Sequence, residues 1–392
     1  MAHVLKRKGY EGVALAVPVT VPYERYSIRG AHWFLGQAVR ALVQASGLAK
    51  EQIDGLTVSS FSLAPDTAVG VTQHLGLSPR WLDHIPTGGA SGVMALRRAA
   101  RAVQCGDAEV VACVAADTNH VDSFRQTLGS FSDFARDASY PYGSGGPNSM
   151  FAFITANYMR TYGARREDFG RIAVAQRSNA LKNPNALFKK PLTLDEYMAA
   201  RPISEPIHLF DCVMPCAGAE AFLVMSPARA RDLGLPHVLL RGAIERHNAF
   251  ADDPVMVRGG WAMDRGDLYA QAGLQPQDID LLQTYDDYPV IAMMQFEDLG
   301  FCAKGEGPDF VRAHDLTVGG DFPQNTSGGQ LSCGQAGAAG GFIGMTETIR
   351  QLTGQAGERS VAGARHGLVG GFGMVTYDRC LCTGAVILGK SE

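Results

Sequence analysis

Two rhythms of apolar residues alternate along the chain. Amphipathic stretches with helical spacing, such as 149–162, are followed by short apolar runs with the look of buried strands, such as 237–244, and glycine-rich turns separate them. That alternation predicts an α/β fold. One piece of it occurs twice: Ser46-Gly-Leu-Ala-Lys-Glu-Gln-Ile-Asp54-Gly-Leu56 returns as Ala272-Gly-Leu-Gln-Pro-Gln-Asp-Ile-Asp280-Leu-Leu282. Each copy predicts an amphipathic helix stopped by glycine, a short acidic turn and a strand beginning at Ile53 or Ile279. The repeat divides the chain into halves, 1–235 and 236–392, joined near Gly234-Leu-Pro236, with an insertion at about 119–206 of the size expected for a lid or binding loop.

Composition narrows the function more than the fold. With 392 residues, 46% hydrophobic and 19% charged, the chain can bury a doubled α/β core without staples. A net charge of -4 and scattered basic residues exclude a nucleic-acid footprint. No apolar run approaches the ~20 residues of a membrane helix. The basic stretch 1–10 runs into a strand-like segment rather than a signal-peptide core, so the expected location is the cytoplasm. Eight cysteines are too sparse for a disulfide framework and form no paired knuckles. Cys380-x-Cys382 lies in a strand-like run and reads as buried thiols, so no metal site is expected.

Four segments then acquire a common meaning. Thr87-Gly-Gly-Ala-Ser-Gly-Val-Met-Ala-Leu96, Asn179-Ala-Leu-Lys-Asn-Pro-Asn-Ala186, Cys216-Ala-Gly-Ala-Glu-Ala221 and Asn325-Thr-Ser-Gly-Gly-Gln-Leu-Ser-Cys-Gly-Gln-Ala-Gly337 resemble, in order, conserved stretches of the thiolase superfamily. The branch they resemble is that of the sterol-carrier and lipid-transfer-protein thiolases, near the steroid side-chain-cleaving aldolases. The resemblance implies a duplicated five-layered αβαβα architecture with two mixed sheets, a substrate bound as a coenzyme A thioester and no tightly bound cofactor. It also implies a homodimer and a small companion subunit carrying a zinc ribbon and an OB-fold.

At the positions where such thiolases carry their chemistry, this chain differs. The nucleophilic Cys is replaced by Gly89, which has no side chain to acylate. Ser91 reads either as a hydroxyl bonded within the turn or as a substitute nucleophile. Tyr285-Asp-Asp-Tyr288 stands where the family has an Asn or His, and Tyr285 is the first catalytic candidate because a phenol can donate to an enolate oxygen. Gln335 replaces the family's His; it can donate a hydrogen bond but cannot serve as a base. Cys333 reads either as an inert buried thiol or as a displaced nucleophile. His366, just before Gly367-Leu-Val-Gly-Gly-Phe-Gly373, is a candidate base or a surface residue. Gly89, Gly328, Gly329, Gly370 and Gly371 are expected to bring backbone close to the thioester.

Such a site suits retro-aldol cleavage of a β-hydroxyacyl-CoA, which needs a base and a stabilised enolate but no acyl-enzyme. Two alternatives stay open on the sequence: an acyltransferase using Cys333 or Cys212, and a non-catalytic acyl-CoA-binding subunit.

Overall fold

The computed structural model describes residues 9–120, 140–144 and 146–391, so part of the 119–206 insertion lies outside the described residues. In the first half, β1 (Ala14–Glu24) leads to α1 (Ala31–Ser46), which buries Phe34, Leu35, Ala38, Val39 and Leu42 along one stripe. It stops at Gly47, whose φ of 69° is the left-handed conformation that glycine enters at least cost. Then come β2 (Gly55–Ser59), α2 (Ala68–Leu75), β3 (Trp81–His84), α3 (Ser91–Cys105) and β4 (Val110–Asp117). Within the described part of the insertion lie α4 (Pro147–Tyr162), α5 (Arg166–Ala180), α6 (Leu194–Met198) and a small hairpin of β5 (Pro202–Ser204) and β6 (Ile207–His208). The helix expected at 149–162 is thus present and starts two residues earlier, at a proline suited to the first helical position.

Strand β7 (Ala217–Met225) and α7 (Pro227–Asp232) close the first half, and β8 (His237–His247) opens the second. It continues through α8 (Trp261–Ala272), β9 (Leu281–Gln283), α9 (Pro289–Asp298), α10 (Gly307–Ala313), α11 (Gly329–Cys333), α12 (Ile343–Leu352), β10 (His366–Thr376) and β11 (Arg379–Lys390). The sequence repeat is also a structural one. α8 ends at Gly273 with φ 68°, as α1 ends at Gly47, and a 3-10 turn precedes the strand in each copy. The strands begin at Gly55 and Leu281, two residues later than the isoleucines predict, because Ile53 and Ile279 cap the 3-10 turns. Asp54 accepts the N–H groups of Glu109 and Val110 where β4 begins, and Asp280 accepts those of Arg365 and His366 where β10 begins.

The sheet order is β3-β2-β4-β7-β1-β8-β11-β10-β9. Outward from the centre, the second half repeats the first, except that the place of β3 is held only by a parallel bridge between Leu282 and Gln324. The two mixed sheets expected from the resemblance are therefore continuous: β1 and β8 pair antiparallel through Ala14–Leu239 and Ala16–His237. Helices α3 and α12 pack against strands of both halves, α1 covers the outer face of the first and α8 that of the second, giving five layers. The N-terminal part of α3 is wholly buried from Ser91 to Leu96, and Gly92 there packs against the backbone of Gly341. Among the described residues no helix is long and apolar enough to cross a membrane.

Candidate active site

A cavity of about 300 Å³ opens where the start of α3, the ends of β4 and β9 and the far end of β10 converge. Its lining includes Gly89, Asp117, Asn148, Phe151, Cys212, Tyr285, Asp287, Tyr288, Gln335 and Phe372. The segment that follows β9 is held from both sides. Gln295 of α9 accepts the Tyr285 N–H at 3.1 Å and donates to its carbonyl at 2.8 Å, and the Asp286 carboxylate accepts the N–H groups of Gln330 and Leu331 at 3.0 and 3.3 Å. Asp286 thus anchors the loop, and Tyr285 and Asp287 turn into the cavity.

Tyr285 is 6% exposed and lies parallel to Phe372, ring centres 6.1 Å apart. The ring fills the space directly above Gly89. A Cβ placed at residue 89 would overlap the ring atoms Cε2 and Cζ of Tyr285 and the carbonyl oxygen of Phe372. A side chain at residue 89 and the tyrosine ring therefore cannot coexist. The Gln335 side chain donates to the Tyr285 hydroxyl at 3.3 Å and to the Asp287 carboxylate. Its backbone is fixed by Met214 and Cys216, through Gln335 N–H to Met214 O at 2.8 Å and Cys216 N–H to Gln335 O at 2.9 Å.

Burial sets the proton affinities. It pushes the Tyr285 phenol well above its ordinary value, with the Asp287 charge adding to the effect. Asp287 rises to about 7 through loss of solvation, opposed by the Tyr285 hydrogen bond and raised further by Asp286. Asp286 rises to about 6 by burial despite its backbone donors. Asp117 is raised by burial and held against that by the N–H groups of Phe61, Ser62 and Ala338 and the hydroxyls of Ser60 and Ser62. At the other side of the cavity the Tyr288 hydroxyl donates to Asn148 Oδ1 at 2.5 Å, and its ring stacks on Phe151 at 4.0 Å.

Of the residues singled out by sequence, the structure gathers Gly89, Tyr285 and Gln335 at the cavity. Cys333 does not reach it. Its thiol donates to Ser327 O at 2.9 Å, accepts from Asn183 at 3.2 Å and is pushed up to about 12 by burial, beside a separate space of about 20 Å³. Cys212 does line the cavity, but burial pushes its thiol up to about 12 as well. Both are poor nucleophiles. The expected base at His366 is also misplaced: the residue begins β10, its ring faces Asp278 O at 3.1 Å, and Phe372, which reaches the cavity, is six residues on, roughly 20 Å along a strand.

The glycine pairs lie one layer back. Gly370 and Gly371 sit mid-strand opposite Ala385 and Gly384, and side chains there would meet Gln295 or α3. At Gly328 and Gly329 they would meet Ala180 and Asp286. These glycines permit close packing behind the site, whereas Gly88, Gly89, Gly337 and Gly373 line it. Ser91 is bonded within its turn, donating to Ile85 O at 3.1 Å. Sequence reasoning missed Asp287, although it stood inside the motif carrying Tyr285; its signal was a pair of acids between two tyrosines after an apolar strand. Among the described residues no cluster of three or more His, Cys, Asp or Glu is arranged to hold a metal.

By its relatives in sequence and structure the chain belongs to the thiolase superfamily, in the branch of the sterol-carrier-type thiolase-like proteins that includes steroid side-chain-cleaving aldolases. Residues 242–389 match the family described as "Thiolase C-terminal domain-like". The chain is 35% identical over 335 residues to the steroid side-chain-cleaving aldolase of Thermomonospora curvata, covering 81% of this chain and 84% of that one. It is 34% identical over 351 residues to the 17-hydroxy-3-oxo-4-pregnene-20-carboxyl-CoA lyase of Mycobacterium tuberculosis, covering 85% and 89%. The solved "Ltp2-ChsH2(DUF35) aldolase" superposes with a TM-score of 0.83 at 31% identity, covering 97% of this chain and 98% of that one.

Proposed function

We propose that this protein is a carbon–carbon lyase that cleaves a β-hydroxyacyl-CoA by retro-aldol chemistry and uses no cysteine nucleophile. One observation carries the reading: the Tyr285 ring occupies the space over Gly89, so the position of the acylated residue in ordinary thiolases holds a phenol instead. The remaining groups fit the same reaction. A retro-aldol step needs a proton acceptor for the hydroxyl and donors for the departing enolate, and the cavity brings together a carboxylate, a phenol and an amide. The thioester itself is the substrate, and no tightly bound cofactor enters the reaction.

The aldolase and lyase names of the two relatives support this reading, and they extend it to a bulky polycyclic acyl group. The aromatic wall of Tyr285, Phe372, Phe151 and Tyr288 offers such a body a flat apolar face. The protein is further proposed to work in the cytoplasm as a homodimer core with a small DUF35-type companion; for the companion, the support is the pairing named in the Ltp2-ChsH2(DUF35) aldolase. Tyr285→Phe tests the function. It keeps the ring in place and should lower turnover of a β-hydroxyacyl-CoA by about 10²-fold or more, while stability falls by no more than about 1–2 kcal/mol. Unchanged turnover would remove the phenol from the reaction.

A further inference from the structure

Among the described residues, six ionisable side chains line the cavity: Asp117, Cys212, Cys216, Tyr285, Asp287 and Tyr288. No lysine, arginine or histidine among the described residues lines it. Retro-aldol cleavage, on which this inference rests, needs a group that takes the proton of the β-hydroxyl. The phenols of Tyr285 and Tyr288 and the thiols of Cys212 and Cys216 are all pushed upward by burial, so near neutral pH they carry their protons and cannot accept another. Asp117 is a carboxylate, but its oxygens are engaged by three backbone N–H groups and two hydroxyls that pin the 60–62 turn and the 337–338 turn together.

Asp287 differs on each point. It faces the cavity, forms no ion pair among the described residues, and receives only side-chain donors, the Gln335 amide and the Tyr285 phenol. Among the described residues, its ionisable neighbours are neutral or acidic: Tyr285, Asp286 and Tyr288 on its own loop, Cys212 and Cys216 opposite, and Asp117 from β4.

We propose that Asp287 is the general base of the reaction, that Tyr285 is the acid that completes it, and that Gln335 is the positioning residue that holds the two together. The Asp287 carboxylate takes the proton from the β-hydroxyl. The oxygen's electron pair forms a carbonyl at Cβ, the Cα–Cβ bond breaks, and its pair passes to the thioester as an enolate. Protonation of Asp287 frees the Tyr285 hydroxyl from the carboxylate, and the phenol gives its proton to Cα. The phenolate is then reprotonated by Asp287. The proton that left the hydroxyl thus restores the acid, and the products are a ketone and a shortened acyl-CoA. No oxidant or added proton is needed.

The test is the pH dependence of kcat/KM with 17-hydroxy-3-oxo-4-pregnene-20-carboxyl-CoA as the probe, using the whole chain. In the wild type it should fall about tenfold per pH unit below an inflection near 7, since the base must be ionised. Asp287→Asn should lower kcat by about 10²–10⁴-fold and abolish the inflection, with a melting curve as cooperative as that of the wild type; Asp287→Glu should regain part of the activity. Gln335→Ala removes a donor from the carboxylate, so besides lowering turnover it should move the inflection to higher pH, a shift that a merely structural glutamine would not produce. If the wild type cleaves the probe and Asp287→Asn does so within about threefold, or keeps the inflection, the assignment of the base is wrong although the retro-aldol reading stands. If the wild type cleaves no β-hydroxyacyl-CoA, both fall.

Discussion

Replacing Gly89 by alanine adds one methyl group, yet it should inactivate the protein. The backbone there is not in the left-handed region, so the penalty is purely one of space. The new Cβ would overlap Tyr285 Cε2 and Cζ and the Phe372 carbonyl oxygen. Neither can yield easily: the ring is 6% exposed and stacked on Phe372, and the carbonyl belongs to a strand paired with β11. Overpacking usually costs about 1–3 kcal/mol, and with a backbone atom among the clashes the upper end applies. For a chain of this length about 3 kcal/mol lowers the melting temperature by roughly 3–4 °C. The displaced phenol should cost about 10²-fold or more in turnover. A double-mutant cycle isolates the cause. In a Tyr285→Ala background the ring is gone, and Gly89→Ala should cost only the strain against the Phe372 carbonyl, leaving a coupling of about 1–3 kcal/mol in thermal melts. Additivity of the two changes within about 0.5 kcal/mol would show that ring and glycine do not compete for the same space.

Cys333→Ala should retain turnover within about threefold, because a thiol raised to about 12 is ionised in only ~10⁻⁵ of molecules at neutral pH; a large loss in a well-folded variant would revive a cysteine nucleophile. His366→Ala should leave turnover intact and cost less than about 0.5 kcal/mol, since only a partly exposed contact with Asp278 O is lost, and inactivity with an unchanged melt would refute the placement. Asp287→Asn should be more stable than the wild type at pH 8. The folded-state value of Asp287, about 7, lies above the ~3.9 of an unfolded chain, so its contribution is fully present below pH ~4 and lost as pH rises through 7. The gain at pH 8 is at most about 4 kcal/mol, less whatever hydration the cavity restores to this half-buried group, and it should vanish near pH 4. An equal difference between variant and wild type at both pH values would contradict the raised affinity.

The framework was legible because it rests on local rules used twice. Gly47 and Gly273 stop their helices, and Asp54 and Asp280 cap the neighbouring strands, so a repeat in sequence became a repeat in hydrogen bonds. The position of Tyr285 after a strand could also be read. What failed was inference from adjacency along the chain. His366 stands close to the glycines of β10 in sequence, but an extended strand carries it far from the cavity. Cys333 is two residues from Gln335, but Gly334 between them, at φ 114°, turns the chain so that the thiol and the amide face different spaces. The choice between Asp286 and Asp287 was beyond periodicity altogether. It is decided by which of two neighbours meets the N–H groups of Gln330 and Leu331, a contact made 44 and 45 positions away in sequence.

Among the described residues the charged groups of the cavity lining are carboxylates alone, and this bears on what the proposed reaction would admit. An acyl group carrying its own carboxylate would enter an apolar space already holding Asp117 and Asp287, lose its water and, among the described residues, meet no opposite charge. Under the proposed reaction, charge would then sort acyl groups before shape does: neutral, bulky ones would be favoured, and dicarboxylic ones would be opposed by the same carboxylate that is proposed to meet the hydroxyl.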